Sequence, residues 1–204
     1  MSIYKKADSW TRRAKEQGYA ARSVFKLDEI EARHRILPRR GGRVLDLGCY
    51  PGSWSRWLLE RGMEVVGVDL RAPELSGGRW IVASALEVPV EDLRAALGGA
   101  AELVVSDMAP NTSGNRFVDH ARQIALADRA LDVACALLDP AGPGAFVAKV
   151  FDGEDAPAYV ERVRAAFHDV KRVKPDATRD RSVEFFVVGK GRRARGDVGD
   201  APPG

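Results

Sequence analysis

Short apolar runs alternate with helix-like stretches between residues 43 and 188, and that alternation limits the chain to few folds. Strands are expected over 43–48, 64–69, 79–83, 102–107, 144–151, 170–173 and 183–188. Helices are expected over 21–36, 53–61, 90–97, 119–138 and 156–167, with Pro38, Gly41-Gly42, Gly62, Gly98-Gly99, Pro140 and Gly142 as breaks. The pattern predicts an α/β domain, with a mostly parallel sheet and helices on both of its faces. No internal repeat interrupts it.

A chain of 204 residues with 45% hydrophobic content suits one domain with a real core. No apolar run approaches the roughly 20 residues of a membrane span, and no apolar segment follows Met1-Ser2-Ile3-Tyr4-Lys5-Lys6. Cys49 and Cys135 make no disulfide framework, and His34, His120 and His168 make no metal-ligand cluster. A cytoplasmic globular protein, with no membrane and no metal, is the expectation.

The formal net charge of +3 hides an uneven distribution. Residues 1–43 carry 12 basic and 5 acidic side chains, residues 44–170 carry 11 and 19, and residues 171–195 carry 9 and 3. An acidic body with basic ends suits a polyanion touched by both ends. Solvated charged helices would give the same count.

The stretch Val44-Leu45-Asp46-Leu47-Gly48-Cys49-Tyr50-Pro51-Gly52-Ser53-Trp54 reads as a strand, a glycine-bounded turn and a helix start. Such a turn brings backbone close to a ligand at the carboxyl end of a strand. Asp69, at the end of the next strand, suits ribose hydroxyls. Pro51 and Gly52 break the glycine spacing of a dinucleotide site, whereas cationic S-adenosylmethionine needs no phosphate cradle. Three readings stay open here: adenosylmethionine, a dinucleotide, or a structural turn.

Four polar residues stand where packing gives no reason for them. Asp107 ends an apolar strand, and Lys149 sits inside Ala145-Phe146-Val147-Ala148-Lys149-Val150-Phe151. Glu184 precedes Phe185-Phe186-Val187-Val188, and Lys26 lies between Phe25 and Leu27. Singly, each has a plain explanation: a turn cap, a snorkelling lysine, an edge-strand gatekeeper, a surface lysine.

Together with their neighbours, these residues make the chain recognisable. It resembles the FtsJ/RlmE family of large-subunit ribosomal RNA 2′-O-methyltransferases from about residue 4 to residue 191. The resemblance rests on Arg22-Ser23-Val24-Phe25-Lys26-Leu27, Leu45-Asp46-Leu47-Gly48 with Pro51-Gly52-Ser53-Trp54-Ser55, and Ser106-Asp107-Met108-Ala109-Pro110-Asn111-Thr112-Ser113-Gly114. It continues through Lys149-Val150-Phe151-Asp152-Gly153-Glu154, Lys174-Pro175 and Arg181-Ser182-Val183-Glu184. The resemblance implies a Rossmann-like class I methyltransferase with a seven-stranded sheet over 43–190. A basic helical extension would occupy 1–42 and a disordered tail 191–204.

It further implies a catalytic set of Lys26, Asp107, Lys149 and Glu184, with Lys149 as general base. S-adenosyl-L-methionine would be held by Gly52, Trp54, Asp69, Ala85 and Asp107. Ala85 departs from the family, which usually has an adenine-binding aspartate there, so weaker cofactor binding is expected. Tyr50 and Cys49 stand where the family usually has small residues.

The implied reaction moves a methyl group from a sulfonium to a ribose 2′-hydroxyl, here of a uridine in the A-loop of 23S ribosomal RNA. A lysine can accept the hydroxyl proton only in its neutral form, which desolvation and nearby positive charge favour. RNA contact is expected from Arg12, Arg13, Lys15, Arg22, Arg39 and Arg40 and from residues 171–181, flanking the active-site mouth. The expected partner is ribosomal RNA, within the large subunit, bound by a monomer. Alternatives are the same transfer to tRNA or an mRNA cap, and a non-catalytic RNA-binding assembly factor.

Overall fold

The computed structural model describes residues 9–111, 113–178 and 182–194. Lys5, Lys6, Thr112, residues 179–181 and the expected tail from 195 onward lie outside the described residues.

The apolar runs form seven strands: β1 (Arg43–Leu47), β2 (Glu64–Asp69), β3 (Arg79–Val82), β4 (Leu103–Ser106), β5 (Ala145–Phe151), β6 (Phe167–Val173) and β7 (Glu184–Arg192). They make one sheet in the order β3-β2-β1-β4-β5-β7-β6. The first five strands run parallel, and β7 inserts antiparallel between β5 and β6. The sheet is therefore mixed, with a parallel majority. The chain builds outward from β1 through β2 to β3, then crosses to β4 on the other flank. Ligands of such sheets bind at this switch point, beyond the carboxyl ends of the strands.

Six helices cover the two faces: α1 (Ser9–Glu16), α2 (Val24–His34), α3 (Ser53–Glu60), α4 (Val90–Leu97), α5 (Arg116–Leu137) and α6 (Ala156–Ala166). Strand residues alternate between two cores, as the two-residue period of a pleated strand requires. Leu45, Val104, Phe146, Ala148, Phe185 and Val187 pack under α4, α5 and α6. Val44, Val105, Val147, Phe186 and Val188 pack under α1, α2 and α3. By the same parity Asp46, Asp107, Lys149 and Glu184 point to the α2–α3 side. Val24, Phe25, Leu27 and Ile30 of α2 are buried in that core, so residues 9–34 form a layer of the domain.

Several boundaries differ from expectation by one to four residues, and three of them have a visible cause. The expected helix 119–138 begins at Arg116, because the Asn115 side chain accepts the N–H groups of Phe117 and Val118 as a cap. Asp119 is committed elsewhere: it accepts hydrogen bonds from the N–H and hydroxyl of Ser113 and the N–H of Gly114. The sixth strand opens at Phe167, whose ring stacks on Phe146 at 5.7 Å, over a backbone that Gly189 leaves open. Gly191 and Arg192, expected in the tail, belong to β7, where Arg192 pairs with Phe167.

Candidate active site

β1 ends in a turn that glycine makes possible. Gly48 (φ +82°) donates its N–H to the Val68 carbonyl at 2.8 Å, and Gly52 (φ +102°) caps α3. A Cβ on Gly52 would lie 2.8 Å from both Pro73 and Leu75, so this loop and the segment after β2 approach closely. Asp69 accepts the N–H groups of Tyr50 at 3.1 Å and Arg71 at 3.2 Å, which leaves about half of its acceptor sites open.

Two adjoining cavities open at this edge. One, of about 330 Å³, is lined by Gly48, Tyr50, Asp69, Ser84, Ala85 and Asp107, with apolar walls from Val68, Leu70, Met108 and Leu126. The other, of about 240 Å³, lies between the loop and α2 and is lined by Arg22, Ser23, Lys26, Tyr50, Trp54 and Asp107. Gly48, Tyr50 and Asp107 border both. The first has the size and walls for a nucleoside, with Asp69 as a ribose acceptor. The second is the polar continuation beyond it.

The structure brings the four expected catalytic side chains onto this edge. Lys149 Nζ donates to the main-chain oxygen of Asp107 at 2.7 Å and lies 3.1 Å from its Oδ1. That Oδ1 is buried and has the Lys149 ammonium as its ion-pair partner, while Asp107 as a residue borders both cavities. Lys26, from α2, forms an ion pair with Glu184 at the start of β7. Both lysines are buried, at 6% and 7% exposure, so neither is a surface or snorkelling residue. Buried Gln123, on α5, donates to the Lys149 carbonyl at 2.8 Å and holds that backbone in place.

The expected cofactor residues divide. Asp69, Ala85 and Asp107 line the first cavity and Trp54 the second, whereas Gly52 lines neither. The Trp54 indole donates to the Ser23 carbonyl at 2.8 Å and so fastens α2 to α3. The Ala85 carbonyl accepts Arg129 Nε at 2.9 Å, and Arg129 also reaches the Val88 carbonyl. The side-chain oxygen on this wall is therefore Ser84 Oγ. Sequence reasoning missed Ser84, Arg129 and Gln123, which carry no signal outside the folded chain.

It also missed Asp46, a fully buried carboxyl on β1. Burial, with nearby Asp107 and Asp69, pushes its pKa up to about 7, against the Ser55 hydroxyl that donates to Oδ2 at 2.6 Å. Its Oδ1 has no partner. A charge inside Val44-Leu45-Asp46-Leu47 is the signal that singled out Lys149, and it was available here too.

The expected basic flank is corrected in part. Arg22 lines the second cavity, but Arg39 and Arg40 precede β1 and lie at the amino edge of the sheet, away from the site. Gly41 and Gly62 are hydrogen bonded at that far edge. Arg13 stacks on Phe25 at 4.8 Å. Because β6 runs toward the carboxyl edge, Lys174 does reach the mouth, where it donates to the Ser182 carbonyl.

The profile of the FtsJ-like methyltransferases matches residues 19–192, which span both cavities and all four polar residues. The chain belongs to the FtsJ-like methyltransferase family. As a member it is an S-adenosylmethionine-dependent methyltransferase. It is 42% identical over 200 residues to the ribosomal RNA large subunit methyltransferase E of Desulfosudis oleivorans, covering 96% of this chain and 95% of that one. It is 44% identical to the protein of the same name from Sorangium cellulosum, covering 96% and 93%. Among solved structures, a ribosomal RNA methyltransferase from Plasmodium falciparum superposes with a TM-score of 0.73 at 21% identity, covering 85% of this chain and 98% of that one. Magnesium protoporphyrin IX methyltransferase from Synechocystis, with S-adenosylmethionine bound, shares the fold at a TM-score of 0.55 and 13% identity, covering 93% and 86%. Among the described residues, no helix of this FtsJ-like chain is long and apolar enough to cross a membrane.

Proposed function

We propose that this methyltransferase modifies the 2′-hydroxyl of a uridine in the A-loop of large-subunit ribosomal RNA, with Lys149 as the proton acceptor. The observation that carries the reading is the placement of Lys149 against Asp107, the one carboxylate that borders both cavities among the described residues. The name of the relatives, ribosomal RNA large subunit methyltransferase E, supports the substrate class. On this reading the protein acts as a monomer in the cytoplasm, on RNA within the large subunit.

S-adenosylmethionine supplies an electrophilic methyl group on a sulfonium. Asp69 and the apolar walls of the larger cavity would hold its nucleoside, and Asp107, which borders both cavities, would supply negative charge toward its positive end. The remaining task is to align the ribose oxygen and take its proton. Lys149 is fixed for that task at both ends, its ammonium by Asp107 and its backbone by Gln123. Only an amine with a free lone pair can take the proton that the ribose oxygen loses. Lys26, paired with Glu184, borders the second cavity.

Lys149→Met is the direct test. Methyl transfer should fall by at least about a hundredfold, the lower range for a general base, while adenosylhomocysteine binding by calorimetry stays within about twofold. A variant that kept most of its transfer rate would remove Lys149 from the reaction.

A further inference from the structure

The large apolar side chains that remain exposed among the described residues are Tyr50, Leu70, Val82, Leu86, Phe117 and Val183. They are not scattered. Tyr50 follows β1, Leu70 follows β2, Val82 ends β3 and Leu86 follows it, Phe117 comes after β4, and Val183 precedes the antiparallel β7. All six therefore stand at the carboxyl edge of the sheet, around the active site. Single exposed apolar residues need no explanation, but a cluster rimming one site marks a surface that something covers.

Tyr50 and Leu70 line the larger cavity, and the cofactor accounts for part of their exposure. Phe117 lines neither cavity, yet it is 76% exposed. Its position is rigid: Asn115 caps the helix at the Phe117 N–H, and Asp119 ties down the preceding turn through Ser113 and Gly114. Ile124, two turns further along α5, is buried in the core with Met108. Phe117 stands about 10 Å beyond it, where the sheet has ended, at the carboxyl edge that carries the site.

Tyr50 leads into α3 and Phe117 opens α5, so the two exposed aromatic rings flank the sheet edge from its two faces. A guanidinium lies beside Tyr50, and another arginine precedes Phe117 in α5. Arg71 lies 5.7 Å from the Tyr50 ring centre, and Arg116, next to Phe117, is exposed and forms no ion pair with a described residue. Arg22 and Lys26 line the second cavity with Tyr50. Flat aromatic faces among cations suit an unpaired nucleobase on a phosphate backbone. An apolar protein partner would gain nothing from these guanidinium groups.

We infer that Phe117, with Tyr50 on the other face of the sheet edge, forms a stacking surface for an unpaired RNA base beside the reacting ribose. The inference rests on the reading of the protein as an RNA 2′-O-methyltransferase. It adds that the target strand is bound with at least one base out of its stack, and that Phe117 holds such a base.

The test uses the full chain with adenosylhomocysteine bound, and a short single-stranded ribo-oligonucleotide carrying 2-aminopurine, whose fluorescence is quenched by stacking. Binding to the wild type and to Phe117→Tyr should quench the probe. Phe117→Ala should bind it about tenfold more weakly and without quenching, the range expected for one lost base–aromatic stack. Adenosylhomocysteine affinity and the melting temperature should not move, because the ring touches neither the cofactor cavities nor the core. Three results would overturn the inference: wild-type quenching by Phe117→Ala, full affinity with Phe117→Leu, or an equal loss of adenosylhomocysteine affinity. If Phe117→Ala matches the wild type while the wild type still methylates RNA, stacking falls and the enzymatic reading stands. If the wild type methylates no RNA, that reading falls and the inference goes with it.

Discussion

Replacing Asp46 with asparagine should change how stability depends on pH, by an amount the structure sets. The carboxyl is fully buried on β1, with Ser55 as its one hydrogen-bond donor and with Asp107 and Asp69 nearby. Its ordinary pKa of 3.8 rises to about 7 in the folded chain, chiefly through burial. The folded protein therefore keeps this proton up to about pH 7, while the unfolded chain releases it near pH 3.8. Between those values the folded state binds more protons, so stability falls as pH rises, and the loss is complete above about pH 7. At about 1.4 kcal/mol per pKa unit, the total is roughly 4 kcal/mol. Asparagine keeps the acceptor for the Ser55 hydroxyl and has no proton to lose. Its amide nitrogen takes the place of the unpartnered Oδ1, which adds a pH-independent offset of about 1–3 kcal/mol. The readout is therefore the slope. In urea unfolding from about pH 4 to about pH 8, the variant's stability relative to wild type should climb by roughly 4 kcal/mol and then level off. A difference that stays constant with pH would show that Asp46 does not hold its proton in the fold.

Two further substitutions test the architecture of the site. Lys26→Met strands Glu184 as a part-buried, unpaired carboxylate and should lower stability by up to about 3 kcal/mol in urea unfolding, whereas adding Glu184→Met should restore much of it. Arg129→Ala frees the carbonyls of Ala85 and Val88 that shape the larger cavity. It should raise KM for S-adenosylmethionine several-fold with kcat nearly unchanged; an unchanged KM would leave Arg129 with a purely structural role.

The alternation of apolar runs and helices was legible because buried parallel strands concentrate β-branched and aromatic residues, and because glycine and proline mark their ends. What it missed was held by contacts distant in sequence or by caps. α1 buries only Ala14 and leans on α2 through Trp10 and Phe25, 5.3 Å apart, so its apolar stripe is just Trp10 and Ala14, too short to stand out in the sequence. The start of α5 depended on whether Asn115 or Asp119 would cap it. In the site, Lys149 and Asp107 stood out as charges in apolar strands. Lys26 was singled out with them, but a surface lysine on a basic helix explained it equally well. Its burial comes from Glu184, 158 residues away, and from Phe186 beneath it, 5.6 Å from the ammonium. Arg39 and Arg40 were misassigned for a related reason. Net charge along a chain says nothing about which sheet edge a loop will reach.

The most direct test of the central claim is transfer of labelled methyl groups from S-adenosylmethionine to three substrates in parallel. These are large subunits from cells lacking the modification, naked large-subunit ribosomal RNA, and tRNA, followed by mapping of the labelled nucleotide. The account predicts label on a ribose 2′-oxygen of an A-loop uridine in large-subunit RNA, lost with Lys149→Met. Label confined to tRNA, on a base rather than a ribose, or absent from all three would contradict it.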